Sequence, residues 1–209
     1  LSRSVQVDLG ARTLALTQAN GNLAGTIRGA GGLNVDGGTE TLSGVNAYTG
    51  GTAIATGATL ALAGQGSIAA SSVVDNAGTF DIAATNDGAT LHNLTGAGDV
   101  NLGGKTLTLS GASGVLAGSI HGAGGGLTVS GGNVTLTGND DYSGATTIAG
   151  GATVALAGSG SIAASTVADA GTLDLAGAGG NVSIRSLSGA GLVKLGANSL
   201  TLSKADGQF

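Results

Sequence analysis

The chain has no cysteine, proline, methionine or tryptophan, two tyrosines, two phenylalanines and only 9% charged residues. Without cysteine, neither a disulfide framework nor a thiolate metal site is available. Two explanations of that absence stand side by side: chance in a chain of low complexity, or avoidance of cross-links in a chain that must thread across a membrane from an oxidising compartment. Without proline, no backbone N–H is lost, which suits strands that sit in the middle of sheets. Four phenylalanines and tyrosines are few for the compact core of a globular enzyme of this length. The seven basic residues (Arg3, Arg12, Arg28, Lys105, Arg185, Lys194, Lys204) are scattered and the formal net charge is −5. No basic patch can neutralise a run of phosphates, so nucleic acid is excluded as an expected partner. No run of about 18 apolar residues exists to span a membrane as a helix. The alternating stretches also lack the aromatic girdles of an outer-membrane barrel.

Glycine is what the chain has in excess, 43 of 209 residues, against a usual share of roughly 7%. Gly every third residue is not observed, so collagen is excluded. Such a composition often marks a linker, but the mean hydropathy is +0.35 and the apolar residues are regularly placed, which speaks for a folded chain.

The regularity is a long repeat. Leu9–Leu16 (LGARTLAL) returns as Leu102–Leu109 (LGGKTLTL) and Leu195–Leu202 (LGANSLTL), each time 93 residues on. Between these markers, Ala24–Gly32 matches Ala117–Gly125, Gly64–Ala70 matches Gly158–Ala164, Gly78–Ile82 matches Gly171–Leu175, and Leu94–Gly98 matches Leu187–Gly191. We read residues 1–209 as one unbroken domain made of units 9–101 and 102–194 and the start of a third, 195–209.

A finer period runs inside each unit. Leu42, Leu62, Ile82 and Leu102 are 20 residues apart, as are Ile54, Val74 and Leu94. Apolar and polar residues alternate strictly in Leu60-Ala-Leu62, Phe80-Asp-Ile82 and Leu107-Thr-Leu109, the period of a strand. Short strands separated by Gly, Asn and Asp at this repeat predict an all-β parallel β-solenoid of about ten coils of roughly 20 residues. The spacing of 34 from Leu102 to Leu136 is either one long coil or two short ones.

The stretch Leu42–Leu60 (LSGVNAYTGGTAIATGATL) and its return at Leu136–Val154 (LTGNDDYSGATTIAGGATV) share a pattern carried by Leu42, Gly44, Asn46, Tyr48, Gly50, Thr52, Gly57 and Leu60, and by Leu136, Gly138, Tyr142, Gly144, Thr146 and Gly151. Asp140 stands where the first copy has Asn46. This pattern resembles the passenger-associated transport repeat of bacterial autotransporters, and the resemblance covers nearly the whole chain. It implies a right-handed parallel β-helix exported by a type V system to the cell surface of a Gram-negative bacterium. It also implies a piece of a longer precursor, with the rest of the passenger and a C-terminal outer-membrane β-barrel as partners. Adhesion or autoaggregation is the implied activity, with the chain itself or host-surface glycans as ligands. A rod segment of a two-partner-secreted hemagglutinin-like adhesin is the related alternative.

Candidate chemistry is sparse. His92 and His121 lie in no motif, and no G-x-S-x-G elbow is present. Asn139-Asp140-Asp141 reads as a turn rather than a cation site, since the first copy has Val45-Asn46-Ala47 there. Tyr48 and Tyr142 are expected to pack at coil corners with bonded hydroxyls. A polysaccharide-acting β-helix enzyme would need paired carboxylates; Asp75, Asp81, Asp87 and Asp99 form the densest acidic run, and the second copy keeps Asp174, opposite Asp81, and Asp169, near Asp75, but not the other two. The reading is of a non-enzyme with no cofactor and no metal.

Overall fold

Alternation along each segment decides which side chains face inward. In Thr59–Gly64, Leu60 and Leu62 are buried while Thr59, Ala61 and Ala63 lie nearer the solvent. In Thr106–Leu109, Leu107 and Leu109 point in and Thr106 and Thr108 point out. The chain cannot satisfy such short strands locally, because each pairs with residues about 20 positions away: Thr79 lies opposite Thr59 on one side and Asp99 on the other. A computed structural model describes residues 5–205 and contains 27 strands and no helix among them. The strands pair in parallel and stack as a β-solenoid of about ten coils. At roughly 4.8 Å per coil, the rod is on the order of 50 Å long.

Three faces run along the rod. The first begins with Gln6–Asp8, Thr26–Gly29 and Ala47–Tyr48 as one sheet. It resumes as Ala89–Leu91, Thr106–Leu109, Gly126–Val129, Ala145–Ile148, Thr166–Asp169 and Ser186–Ser188. The second carries Leu14–Leu16, Leu33–Val35, Thr52–Ile54, Val74–Asn76 and Leu94–Thr95. It continues through a bridge between Gly96 and Leu116 into Ala112–Leu116, Gly132–Leu136, Thr153–Gly158, Thr172–Ala178 and Leu192–Lys194. The third runs from Ala19–Leu23 through Gly38–Leu42, Thr59–Gly64, Thr79–Thr85 and Asp99–Asn101 to Ile120–His121. After the bridge from Asn139 to Ser161 it ends in Val182–Ile184 and Leu200–Leu202. Inward residues of all three faces merge in one apolar core from Leu9 to Ile184.

The long repeat and the coil do not divide evenly, and the structure shows the consequence. The 93 residues from Leu9 to Leu102 make about four and two-thirds coils of ~20 residues, so each unit starts one face away from its predecessor. Leu14–Leu16 lies on the second face, its counterpart Leu107–Leu109 on the first, and Leu200–Leu202 on the third. The same arithmetic resolves the spacing from Leu102 to Leu136. Leu102 directly follows a third-face strand and Leu136 closes a second-face strand, so the segment is neither one long coil nor two short ones but one and two-thirds coils.

Candidate functional site

The repeated pattern is built from the inside of the rod outward. Tyr48 is fully buried, and its hydroxyl lies 2.6 Å from Oγ1 of Thr52. Thr52 in turn lies 2.9 Å from Oγ of Ser71 on the next coil. Ser71 is within 3.0 Å of the Gly50 carbonyl and 3.1 Å of the Val73 carbonyl. Carbonyls only accept, so the order of donation is fixed: Ser71 donates to backbone, Thr52 to Ser71, and Tyr48 to Thr52. The second unit repeats the relay, with 2.6 Å from Tyr142 to Thr146, 2.7 Å from Thr146 to Ser165, and 2.8 Å from Ser165 to the Gly144 carbonyl. Burial pushes the Tyr48 hydroxyl up to about 12, with the Thr52 bond pulling the other way. Burial raises Tyr142 further.

The remaining pattern residues hold coils at contact distance. Leu42, Leu60 and Leu136 fill the core. A Cβ on Gly44 would sit 1.8 Å from the Gly25 carbonyl oxygen, and one on Gly50 2.4 Å from that of Gly31. Gly138 and Gly144 stand equally close to the carbonyls of Gly118 and Gly125, at 2.2 and 2.4 Å. Gly57 and Gly151 instead turn a corner with φ of 79° and 84°, which L side chains rarely adopt. Asn46 clasps three coils: its Oδ1 accepts from Ile27 N at 2.8 Å, and its Nδ2 donates to Gly44 O at 2.9 Å and Ser67 O at 3.1 Å. Asp140 takes this place in the second unit and accepts from Ile120 N at 2.7 Å, but its Oδ2 has no bonded partner.

Sequence reasoning passed over Ser71 and Ser165, which close the relay. The signal was present: in both units a serine follows the pattern threonine by 19 residues, nearly one coil. It also passed over Asn76, and it set Asp169 against Asp75 rather than against its counterpart Asn76; each is wedged at a coil junction.

The acidic run is divided. Asp75 lies on the second face, Asp81 and Asp99 on paired strands of the third, and Asp87 at a corner. Asp81 accepts from Ala83 N and from Asn101 Nδ2, and Asp174 from Ala176 N. In the Asn139-Asp140-Asp141 turn, Asp140 faces inward and Asp141 outward, 3.0 Å from His121 Nδ1. His92 is exposed between Ala89–Leu91 and Leu94–Thr95, its ring lying against Gly111.

Each unit also carries one surface groove beside its Gly-Ser-Ile-Ala-Ala loop. One, of about 480 Å³, runs past Gly64–Ser67, Asp87–Thr90, Thr106 and Thr108. The other, of about 530 Å³, runs past Gly158–Ser161 and Ala178–Ser183. They open where a sheet is interrupted, the first face in one unit and the third in the other. Hydroxyls, amides and small side chains line both, and the first adds the Asp87 carboxylate, an arrangement suited to hydrogen bonding with polar groups.

No match to this chain was found among protein-family models, curated proteins or solved structures.

Proposed function

We propose that the chain is a self-supporting stalk segment of a bacterial passenger protein, displayed at the cell surface or secreted, whose stepwise folding is coupled to export. The observation that carries this reading is the relay from Tyr48 through Thr52 to Ser71, with its copy at Tyr142, Thr146 and Ser165. In a stack of coils, each relay closes only when the following coil arrives, because Ser71 and Ser165 belong to that coil. A chain emerging segment by segment can therefore lock the coils at these two places as they are laid down. Tyr48, Thr52, Tyr142 and Thr146 belong to the pattern that resembles the transport repeat, and Ser71 and Ser165 complete each lock from outside it. A rod fastened in this way can also carry an adhesive surface away from the membrane, and the polar grooves and the outward Thr108 and Thr128 of adjacent coils suit self-association or glycan contact.

The test is a settling and surface-labelling assay on bacteria displaying the full protein with and without residues 5–205. Loss of surface protein on deletion supports coupled folding and export. Surface protein retained with loss of clumping or attachment supports contact by this segment. If deletion changes neither, the proposal fails.

A further inference from the structure

Two buried asparagines of the first unit are aspartates in the second. Asn46 corresponds to Asp140 and Asn76 to Asp169. In the first unit both the oxygen and the nitrogen of each amide are bonded. Asn46 accepts from Ile27 N and donates to the carbonyls of Gly44 and Ser67. Asn76 accepts from Gly78 N at 3.2 Å and donates to the carbonyl of Asp99 at 2.9 Å. The second unit keeps only the accepting half. Asp140 accepts from Ile120 N at 2.7 Å and Asp169 from Gly171 N at 2.9 Å. Both remaining oxygens, Oδ2 of each, are buried without a partner. By the repeat, they take the places of the amide nitrogens: Asp140 Oδ2 opposite the carbonyls of Gly138 and Ser161, and Asp169 Oδ2 opposite that of Leu192. A carboxylate oxygen cannot bond a carbonyl, whereas a neutral carboxyl O–H can donate to it.

We propose that Asp140 and Asp169 are pH-sensitive fasteners of the second unit: as neutral acids each donates its proton to the neighbouring backbone carbonyl, and ionisation releases the coil it holds. The surroundings agree. Asp140 is 3% exposed. Burial pushes its carboxyl up to about 7, against the Ile120 N–H and His121, which pull it down, and with Asp141 pushing it up. His121 itself lies 3.0 Å from Asp141 and 4.0 Å from Asp99, and the buried Tyr142 hydroxyl faces the same turn, its own proton held toward Thr146. Asp169 is 2% exposed. Burial raises it as well, opposed by the N–H groups of Gly171 and Leu173, and no charged side chain contributes.

A carboxyl raised from 3.8 to about 7 by folding contributes its full stabilisation below the unfolded value. That contribution is lost progressively as the pH climbs towards and through the folded value, and the loss is complete above it. The second unit is therefore held most firmly in mild acid, and the first unit, with asparagine at both places, lacks that dependence at these two positions. This holds whether or not the chain is a passenger segment.

Amide hydrogen exchange on the full chain from pH 5 to 8 tests it. The expected result is that protection factors of Ile120 and Asp141 fall by up to about tenfold per pH unit up to pH ~7 and then level off. Those of Ile27 and Ala47 stay flat. In the Asp140→Asn and Asp169→Asn double variant, which copies the first unit and retains His121 and Asp141, the fall disappears. The converse variant, Asn46→Asp, confers the same fall on Ile27 and Ala47. Equal pH dependence in the two units, an unchanged fall in the double variant, or no effect of Asn46→Asp overturns the proposal.

Discussion

Tyr48 and Thr52 place their hydroxyl oxygens 2.6 Å apart inside the rod, and Tyr142 and Thr146 repeat that distance on a different face. The contact is not an isolated pair, since Thr52 passes its own proton on to Ser71 of the next coil. Removing the start and the middle of the relay should therefore differ. Tyr48→Phe deletes one donor and leaves Thr52 still donating, a loss of about 1 kcal/mol. Thr52→Val strands the buried Tyr48 hydroxyl, at about 1–3 kcal/mol, and removes the bond that Ser71 accepts, about 1 kcal/mol more, so it should cost about 2–4 kcal/mol. Urea unfolding followed by circular dichroism, with exchange at Val74 as a local probe, gives the order. Equal costs would show that the relay does not act as a chain.

The two tyrosines are the only ones and tryptophan is absent, so tyrosinate absorbance reports on these buried groups alone. Burial holds Tyr48 up at about 12, from 10.0. A hydroxyl raised by folding gives stability that is complete below pH 10 and lost as the pH rises through 12. The native rod should show almost no tyrosinate absorbance at pH 10.5, where urea-unfolded chain shows more than half. As the pH passes 12, absorbance and loss of strand signal should rise together. Ionisation near pH 10 without unfolding would place the hydroxyls in solvent.

Much of this was legible in the sequence because one rule, inward at every second residue and stacked at every twentieth, dictates most of the chain. Leu60, Leu62, Phe80 and Ile82 announce themselves by alternation, and all are buried. The rotation of one unit against the next was also present, in the remainder left when 93 is divided by about 20, but it becomes visible only when counterparts such as Leu14 and Leu107 appear on different faces. What alternation could not disclose is polar and depends on depth. Ser71 and Ser165 look like surface serines until the coil above is in place. Asp140 looks like a turn residue because its neighbour Asp141 is one; a single step along the strand separates the buried carboxyl from the solvated one.

Glycine substitutions should sort by cause. Gly44→Ala puts a methyl group 1.8 Å from the Gly25 carbonyl oxygen, backbone that cannot yield without parting the coils, and should abolish cooperative folding or cost more than about 4 kcal/mol. Gly57→Ala meets nothing within 4 Å but must hold φ of 79°, costing about 1–2 kcal/mol. Gly180→Ala meets no atom and no such angle and should lie within about 0.5 kcal/mol of the parent. Thermal melts of the three variants at one pH check the order. A Gly44→Ala protein as stable as Gly180→Ala would contradict the coil spacing described.

The absence of native cysteine lets paired cysteines report on which residues are neighbours. Thr108 and Thr128 are direct partners on the outer side of the first face, and adjacent strands stand ~4.8 Å apart, within the Cα separation that a disulfide spans. Thr108→Cys with Thr128→Cys should therefore cross-link on mild oxidation. Ala15 is the counterpart of Thr108 in the first unit, yet it pairs with Asn34 on the second face. The rotation of about a third of a turn between units, and the rise of roughly 22 Å over four and two-thirds coils, keep the two apart. Ala15→Cys with Thr108→Cys should stay reduced under the same conditions, while Ala15→Cys with Asn34→Cys should cross-link. If the first two pairs exchanged behaviour, the units would stack as separate rods side by side instead of following one another around a single core.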